Sequence, residues 1–121
     1  MKSIAVIDYG MGNLRSVSKA LEAVASDVTV KVTADPKLIQ SASHVVLPGV
    51  GAIRDCIDEL ARLNLDMIIQ EVAQTKPLLG ICLGMQALLS HSEENNSINA
   101  LNIIPGRVRQ FDVALPRTER D

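Results

Sequence analysis

Short apolar runs alternate along the chain with longer stretches in which apolar residues recur at helical spacing. Ile4-Ala5-Val6-Ile7, Val28-Thr29-Val30-Lys31-Val32, His44-Val45-Val46-Leu47 and Leu78-Leu79-Gly80-Ile81 predict four strands. The first, third and fourth are nearly all apolar, as strands covered on both faces must be, whereas the second alternates and suits a sheet edge. Between them, Leu14, Val17, Leu21 and Val24 share a helical stripe within residues 13–25, with Asn13 placed to cap it. Pro36 to Ser41 has room for one or two turns. Ile57, Leu60, Ala61, Leu65, Ile68 and Val72 form one stripe over residues 52–74, with a break predicted at Asn64. The residues after Cys82 read as a further amphipathic helix, with His91 about two and a half turns along it. Strands alternating with helices imply right-handed crossovers. The expected fold is therefore a flavodoxin-like, doubly wound, mostly parallel sheet with helices on both faces. Ligands of such sheets sit outside the carboxyl ends of the strands.

Those ends hold the unusual residues. The first strand runs into Asp8-Tyr9-Gly10-Met11-Gly12-Asn13, the third into Pro48-Gly49-Val50-Gly51 and the fourth into Gly80-Ile81-Cys82-Leu83-Gly84. A strand, Gly-x-nucleophile-x-Gly and a helix make the nucleophile-elbow pattern, here with cysteine in the place of serine. Small neighbours let the backbone pack around the tight turn, and a helix start favours the charged thiolate. The N–H of Leu83 is positioned to donate to an oxyanion on a bound acyl group. A small buried hydrophobe is the alternative reading of Cys82. Gly10-Met11-Gly12-Asn13 suggests a dinucleotide loop only weakly, because Arg15 stands where the third glycine belongs.

Composition narrows the classes. The 121 residues suffice for one domain, and 47% hydrophobic and 21% charged residues with a net charge of −2 give no bias toward nucleic acid or membranes. Arg107, Arg109, Arg117 and Arg120 are diluted by Glu119 and Asp121, which suits a solvated tail. The first apolar run is too short for a signal peptide, and no stretch approaches the ~20 apolar residues that cross a bilayer. Two cysteines, Cys56 and Cys82, are expected to stay reduced in the cytoplasm. Neither a cofactor nor a metal is expected.

Gly80-Ile81-Cys82-Leu83-Gly84-Met85-Gln86 resembles the nucleophile motif of the triad, or class I, glutamine amidotransferases. Pro48-Gly49-Val50-Gly51 resembles the oxyanion loop of one branch, and Ile7-Asp8-Tyr9-Gly10-Met11-Gly12-Asn13 resembles the opening of that same branch. This branch comprises the glutaminase subunits of imidazole glycerol phosphate synthase, from histidine biosynthesis. The resemblance covers residues 1–112, which it implies are the N-terminal part of an amidotransferase domain; residues 113–121 form a tail without a recognised counterpart.

Several roles follow from the resemblance. Cys82 would be the nucleophile that attacks the side-chain amide of glutamine, giving ammonia and a glutamyl thioester for water to hydrolyse. Leu83, Gly49 and Val50 would provide oxyanion N–H groups. Gly51, Gln86 and Glu94 would bind substrate, with Glu94 facing the α-ammonium group. Asn13 would face the partner, a β/α-barrel cyclase that forms a heterodimer with the glutaminase and consumes its ammonia. Other readings stay open: a mere turn for residues 48–51, a solvated helix residue for Gln86, a polar loop for Glu93, Glu94, Asn95 and Asn96, and a helix cap for Asn13.

The departure from the family pattern is large. Its histidine base and orienting glutamate come from a Pro-His-x-Gly-Trp-Asn segment and a later His-x-Glu, and these residues contain neither. His44 opens the third strand away from the rim and His91 lies down the helix, so neither is expected to act as base. The chain thus resembles the N-terminal portion of the family only, and is expected not to turn over glutamine by itself and to expose an apolar sheet edge and face. A non-catalytic binding or regulatory module of the same shape, and a flavodoxin-like cysteine enzyme or redox sensor, are the alternatives.

Overall fold

Six apolar-rich residues at the start of the chain, Lys2–Ile7 (β1), pair with Val28–Thr33 (β2) on one side and His44–Leu47 (β3) on the other, and Leu78–Gly80 (β4) pairs with β3. All three pairings are parallel, in the order β2-β1-β3-β4. The structure is a computed structural model and describes residues 2–94 and 97–111. Asn95, Asn96 and the expected tail, with Arg117, Glu119, Arg120 and Asp121, lie outside the described residues.

The helices begin where the local chemistry directs. Leu14–Val24 (α1) starts after Asn13, whose Oδ1 accepts the Ser16 N–H at 3.3 Å. Pro36–Ser41 (α2) starts after Asp35, whose Oδ1 accepts the Lys37 N–H at 3.0 Å. Such caps satisfy donors that the first turn leaves unpaired. The long apolar stripe divides into Ile53–Arg62 (α3) and Leu65–Thr75 (α4), and Asn64 between them adopts the left-handed conformation at φ 58°. Asparagine tolerates that conformation better than most residues.

Side chains alternate across the sheet. Ala5, Ile7, Val45 and Leu47 join Ile39, Leu60, Ile69 and Val72 in one core beneath α2, α3 and α4. Among the described residues, α1 is the helix that packs on the opposite face, which carries Val6 and Val46. That cover is partial, since α1 has no fully buried residue and its Val24 is 83% exposed. β2 is an edge, as its alternation implied; the expected exposed apolar edge is present at Leu79, whereas the expected exposed face is not, since Val6 and Val46 are buried. The expectation that the fourth strand is covered on both faces is corrected: β4 is the other edge, and its Leu79 is 55% exposed.

A second correction concerns the segment after Cys82. Its helix, Leu83–Ala87 (α5), has only five residues. The carbonyls that would continue it are taken by residues from further along the chain. Leu101 N–H donates to the Ala87 carbonyl at 2.9 Å, Asn102 to Leu89 at 2.9 Å, and Ile103 and Ile104 both to Leu88 at 2.9 and 2.8 Å. His91 therefore lies not on a helix but in His91–Ser92 (β5), which pairs antiparallel with Ile98–Asn99 (β6) and parallel with Arg107–Val108 (β7). Among the described residues no helix is long and apolar enough to cross a membrane.

An exposed leucine on an edge strand is a site for edge-to-edge association. Leu79→Lys should reduce concentration-dependent self-association in sedimentation experiments while leaving the urea midpoint within about 0.5 kcal/mol of the parent, as for a surface substitution.

Candidate active site

The register of β3 and β4 sets Leu47 opposite Gly80, so the second and third turns leave the sheet at the same level. The Ile81 N–H donates to the Leu47 carbonyl at 2.9 Å, extending the ladder by one bond. The chain then reverses at Cys82, whose φ of 56° and ψ of −119° are strained for an L-residue, at a cost of about 1–3 kcal/mol. Bonds on both sides hold it there. Gly84 N–H donates to Ile81 at 3.0 Å, Gln86 N–H to Cys82 at 3.2 Å and Leu83 N–H to Gly49 at 3.2 Å. Gly84 is required at the closest approach, because a Cβ there would collide with the Leu47 carbonyl oxygen. The strain thus presents the Cys82 side chain outward, and the thiol is exposed and free.

The second turn lies directly against this elbow. Pro48 and Gly49 are buried, whereas Val50 and Gly51 are exposed. A Cβ on Gly49 would strike the Tyr9 hydroxyl and stand 3.1 Å from the Gly84 nitrogen, so the loop passes through a slot that only glycine fits. The first turn also lies against the second: a Cβ on Gly12 would be 3.3 Å from the Gly49 nitrogen, and one on Gly51 3.1 Å from the Met11 methyl carbon. The three turns expected to share a rim are in contact. Asn13 sits at its outer margin, exposed and engaged as the α1 cap.

The Leu83 N–H was expected to face an oxyanion. Here it is occupied by the Gly49 carbonyl, so the donor is present at the elbow but paired within the protein. Gln86 lies half-buried on α5. Glu94 is not joined to the rim by the contacts that link the turns. It is exposed beside β5, donates its N–H to Ser92 Oγ at 3.2 Å and lines a hollow of about 320 Å³ with Glu93, Val108, Arg109 and Gln110. In that hollow the Gln110 N–H and the Arg109 guanidinium both donate to Glu93, which holds its carboxyl below the usual range. The two histidines bond elsewhere: His44 Nδ1 to Ser43 Oγ and His91 Nδ1 to Asn99 Oδ1, each at 3.0 Å. Among the described residues no group of three or more His, Cys, Asp or Glu is placed to hold a metal ion.

Sequence reading passes over Tyr9. It is 1% exposed, its hydroxyl donates to the Pro48 carbonyl at 2.6 Å, and the Cys56 thiol lies 3.4 Å from the same oxygen. Burial pushes the phenol far above its ordinary range, helped by the neighbouring thiol, and burial also raises the Cys56 thiol. A signal was available in the chain, where the sole tyrosine sits immediately past the first strand in a sequence with 2% aromatic residues.

A sequence profile of the family described as "Glutamine amidotransferase class-I" matches residues 5–110. "Imidazole glycerol phosphate synthase subunit HisH" of Nitrosococcus oceani is 62% identical over 112 residues, covering 93% of this chain and 54% of the relative. The proteins of the same name from Pseudomonas putida and Nitrosospira multiformis are 57% and 48% identical, over 92% and 99% of this chain and 52% and 56% of their own lengths. The chain spans about half the length of the curated relatives it matches. In structure it is similar to a putative peptidase E protein from Listeria monocytogenes, with a TM-score of 0.66 at 18% identity over 85% of this chain and 63% of that one, a likeness of fold.

Exposure separates the two thiols. Brief, limiting alkylation of the folded protein followed by peptide mapping should label Cys82 well before the buried Cys56; equal labelling would contradict the placement. The single tyrosine gives a second check. A phenol whose pKa is raised on folding favours the native state fully below its unfolded pKa of about 10, and that stability is lost as pH rises toward the folded value. Tyrosinate absorbance should therefore be absent near pH 10 and appear only together with loss of the far-ultraviolet dichroism of the fold.

Proposed function

The chain belongs to the class I glutamine amidotransferase family, and from that premise we propose that it is the Cys82-bearing part of the glutaminase subunit of imidazole glycerol phosphate synthase. Residues 1–112 are then the N-terminal part of the amidotransferase domain. The observation that carries this reading is the exposed, strained Cys82 locked against the Gly49 loop. The Cys82 thiolate attacks the side-chain carbonyl carbon of glutamine, and the carbonyl oxygen takes up the negative charge. Collapse of this adduct breaks the C–N bond, and the departing nitrogen leaves as ammonia once protonated. Water then cleaves the thioester to glutamate and returns the thiol.

The group that serves as acid and base in these proton transfers is the histidine, oriented by the glutamate, both expected in the part of the relatives that this chain does not span. Oxyanion stabilisation requires the Gly49–Val50 peptide to turn. That rotation withdraws the Gly49 carbonyl from the Leu83 N–H and brings the Val50 N–H toward the same place. The substrate roles of Gly51, Gln86 and Glu94 belong to the same reading. Ammonia released into water at neutral pH would be protonated, so a β/α-barrel cyclase that consumes it must dock where the product leaves. The rim around Asn13, Met11 and Gly51 suits that partner, and its binding would favour the turned peptide. The proposed setting is a cytoplasmic heterodimer in histidine biosynthesis that needs no cofactor for the glutaminase step.

The test is a coupled ammonia assay on the chain extended to the length of its relatives, with and without the cyclase and imidazole glycerol phosphate. The extended chain should turn over glutamine, Cys82→Ser should reduce it to background, and the liganded cyclase should act mainly on kcat. The 121 residues alone should not release ammonia in multiple turnovers, since general acid–base help is worth about 10²- to 10⁴-fold. Turnover that survives Cys82→Ser would overturn the assignment.

A further inference from the structure

We infer that Tyr9 is a positioning residue for the Cys82 reaction, its hydroxyl fixing the Pro48–Gly49 peptide as the pivot about which the oxyanion loop turns. The inference rests on the glutaminase reading and deepens it. The Tyr9 hydroxyl has one proton, and the 2.6 Å bond gives it to the Pro48 carbonyl. The Cys56 thiol, 3.4 Å away and buried, can then donate to the phenol oxygen, so the buried oxygen is satisfied as donor and acceptor.

Holding that one carbonyl constrains more than one atom. A peptide group is planar, so fixing the Pro48 oxygen also fixes the Gly49 nitrogen and limits its Cα, and the proline ring already restricts φ at residue 48. Gly49 lies hard against the Tyr9 hydroxyl, Leu83 and Gly84, with no room for a side chain among them. The freedom left to the loop begins beyond this point, at the Gly49–Val50 peptide, where Val50 is 54% exposed. That peptide carries the carbonyl now paired with the Leu83 N–H. Tyr9 thus lets one peptide turn without shifting the loop sideways from the elbow. A phenylalanine would fill the same volume, so a role in packing alone would not need the hydroxyl.

The experiment uses the full-length chain with the cyclase and imidazole glycerol phosphate. Tyr9→Phe should lower kcat for glutamine hydrolysis by about 5- to 10-fold, as for loss of one buried hydrogen bond in the transition state, with KM changed less than about twofold. Alkylation of Cys82 by iodoacetamide, a displacement that develops no oxyanion, should keep its rate. Cys56→Ala disturbs the same region of the core but spares the Pro48 bond, and should keep kcat within about twofold. In the parent protein, the ¹³Cζ signal of Tyr9 should hold its position when the liganded cyclase binds while exchange of the Leu83 amide accelerates. That last comparison needs no variant to fold.

An unchanged kcat in Tyr9→Phe, an equal loss in Cys56→Ala, or a Tyr9 signal that moves with gating would each overturn the inference and leave the glutaminase reading intact. A full-length parent that does not hydrolyse glutamine would overturn that reading and this inference together.

Discussion

The rim depends on how closely the backbone of the third turn approaches the end of β3. Three contacts define that approach: Ile81 N–H on the Leu47 carbonyl, Leu83 N–H on the Gly49 carbonyl, and the Gly84 backbone pressed against Leu47. None of them uses a side chain as donor or acceptor. Backbone strain at Cys82 would relax if the turn could swing outward, and these bonds prevent it. A strained residue costs about 1–3 kcal/mol, and two or three backbone bonds at roughly 1 kcal/mol each offset that cost. The direction of the thiol is therefore decided by main-chain geometry, which tolerates changes in surrounding side chains but not a Cβ at Gly84.

The two faces of the sheet contribute unequally to that rigidity. The core beneath α2, α3 and α4 extends under the rim through Ile53, Cys56 and Tyr9, so the second and third turns rest on close-packed side chains. The first turn leads instead into α1, which has no fully buried residue. Movement at the rim is easier on the α1 side, which carries Gly12 and Asn13, than on the side that carries Cys82. A partner that docks over the first turn would press on the softer element and reach the second through the Gly12–Gly49 contact.

Much of this was legible in the sequence because it is local. Asn13, Pro36 and the strand boundaries at His44 and Leu47 follow from capping chemistry and apolar runs, and Asn64 marked a break that periodicity alone would have bridged. The elbow was legible for the same reason, since its glycines and cysteine lie within five consecutive residues. What escaped depends on residues distant in the chain. The helix after Cys82 stops after five residues because segment 101–104 captures its carbonyls, and nothing near Ala87 announces that. Exposure of Leu79 reflects which strand ends up at the edge. Tyr9 reaches Pro48 across 39 residues, so its role is visible only once β1 and β3 are paired.

The paired Leu83 N–H has a cause that does not depend on any regulatory design. Leu83 is 3% exposed, and a main-chain donor in such surroundings costs about 1–3 kcal/mol if left unpaired. In the absence of an anion at the elbow, the Gly49 carbonyl is the acceptor at hand, and it takes the proton. Any oxyanion that forms on a substrate must compete with that carbonyl. It starts with an advantage, because a charged acceptor makes a bond roughly twice as strong as a neutral one. The advantage appears only as charge develops, whereas a neutral substrate amide offers no better acceptor than Gly49 does. On the proposed glutaminase reading, Cys82 would thus be held ready by geometry, while the Leu83 donor would be released by the charge of the transition state, or beforehand by a partner that turns the peptide.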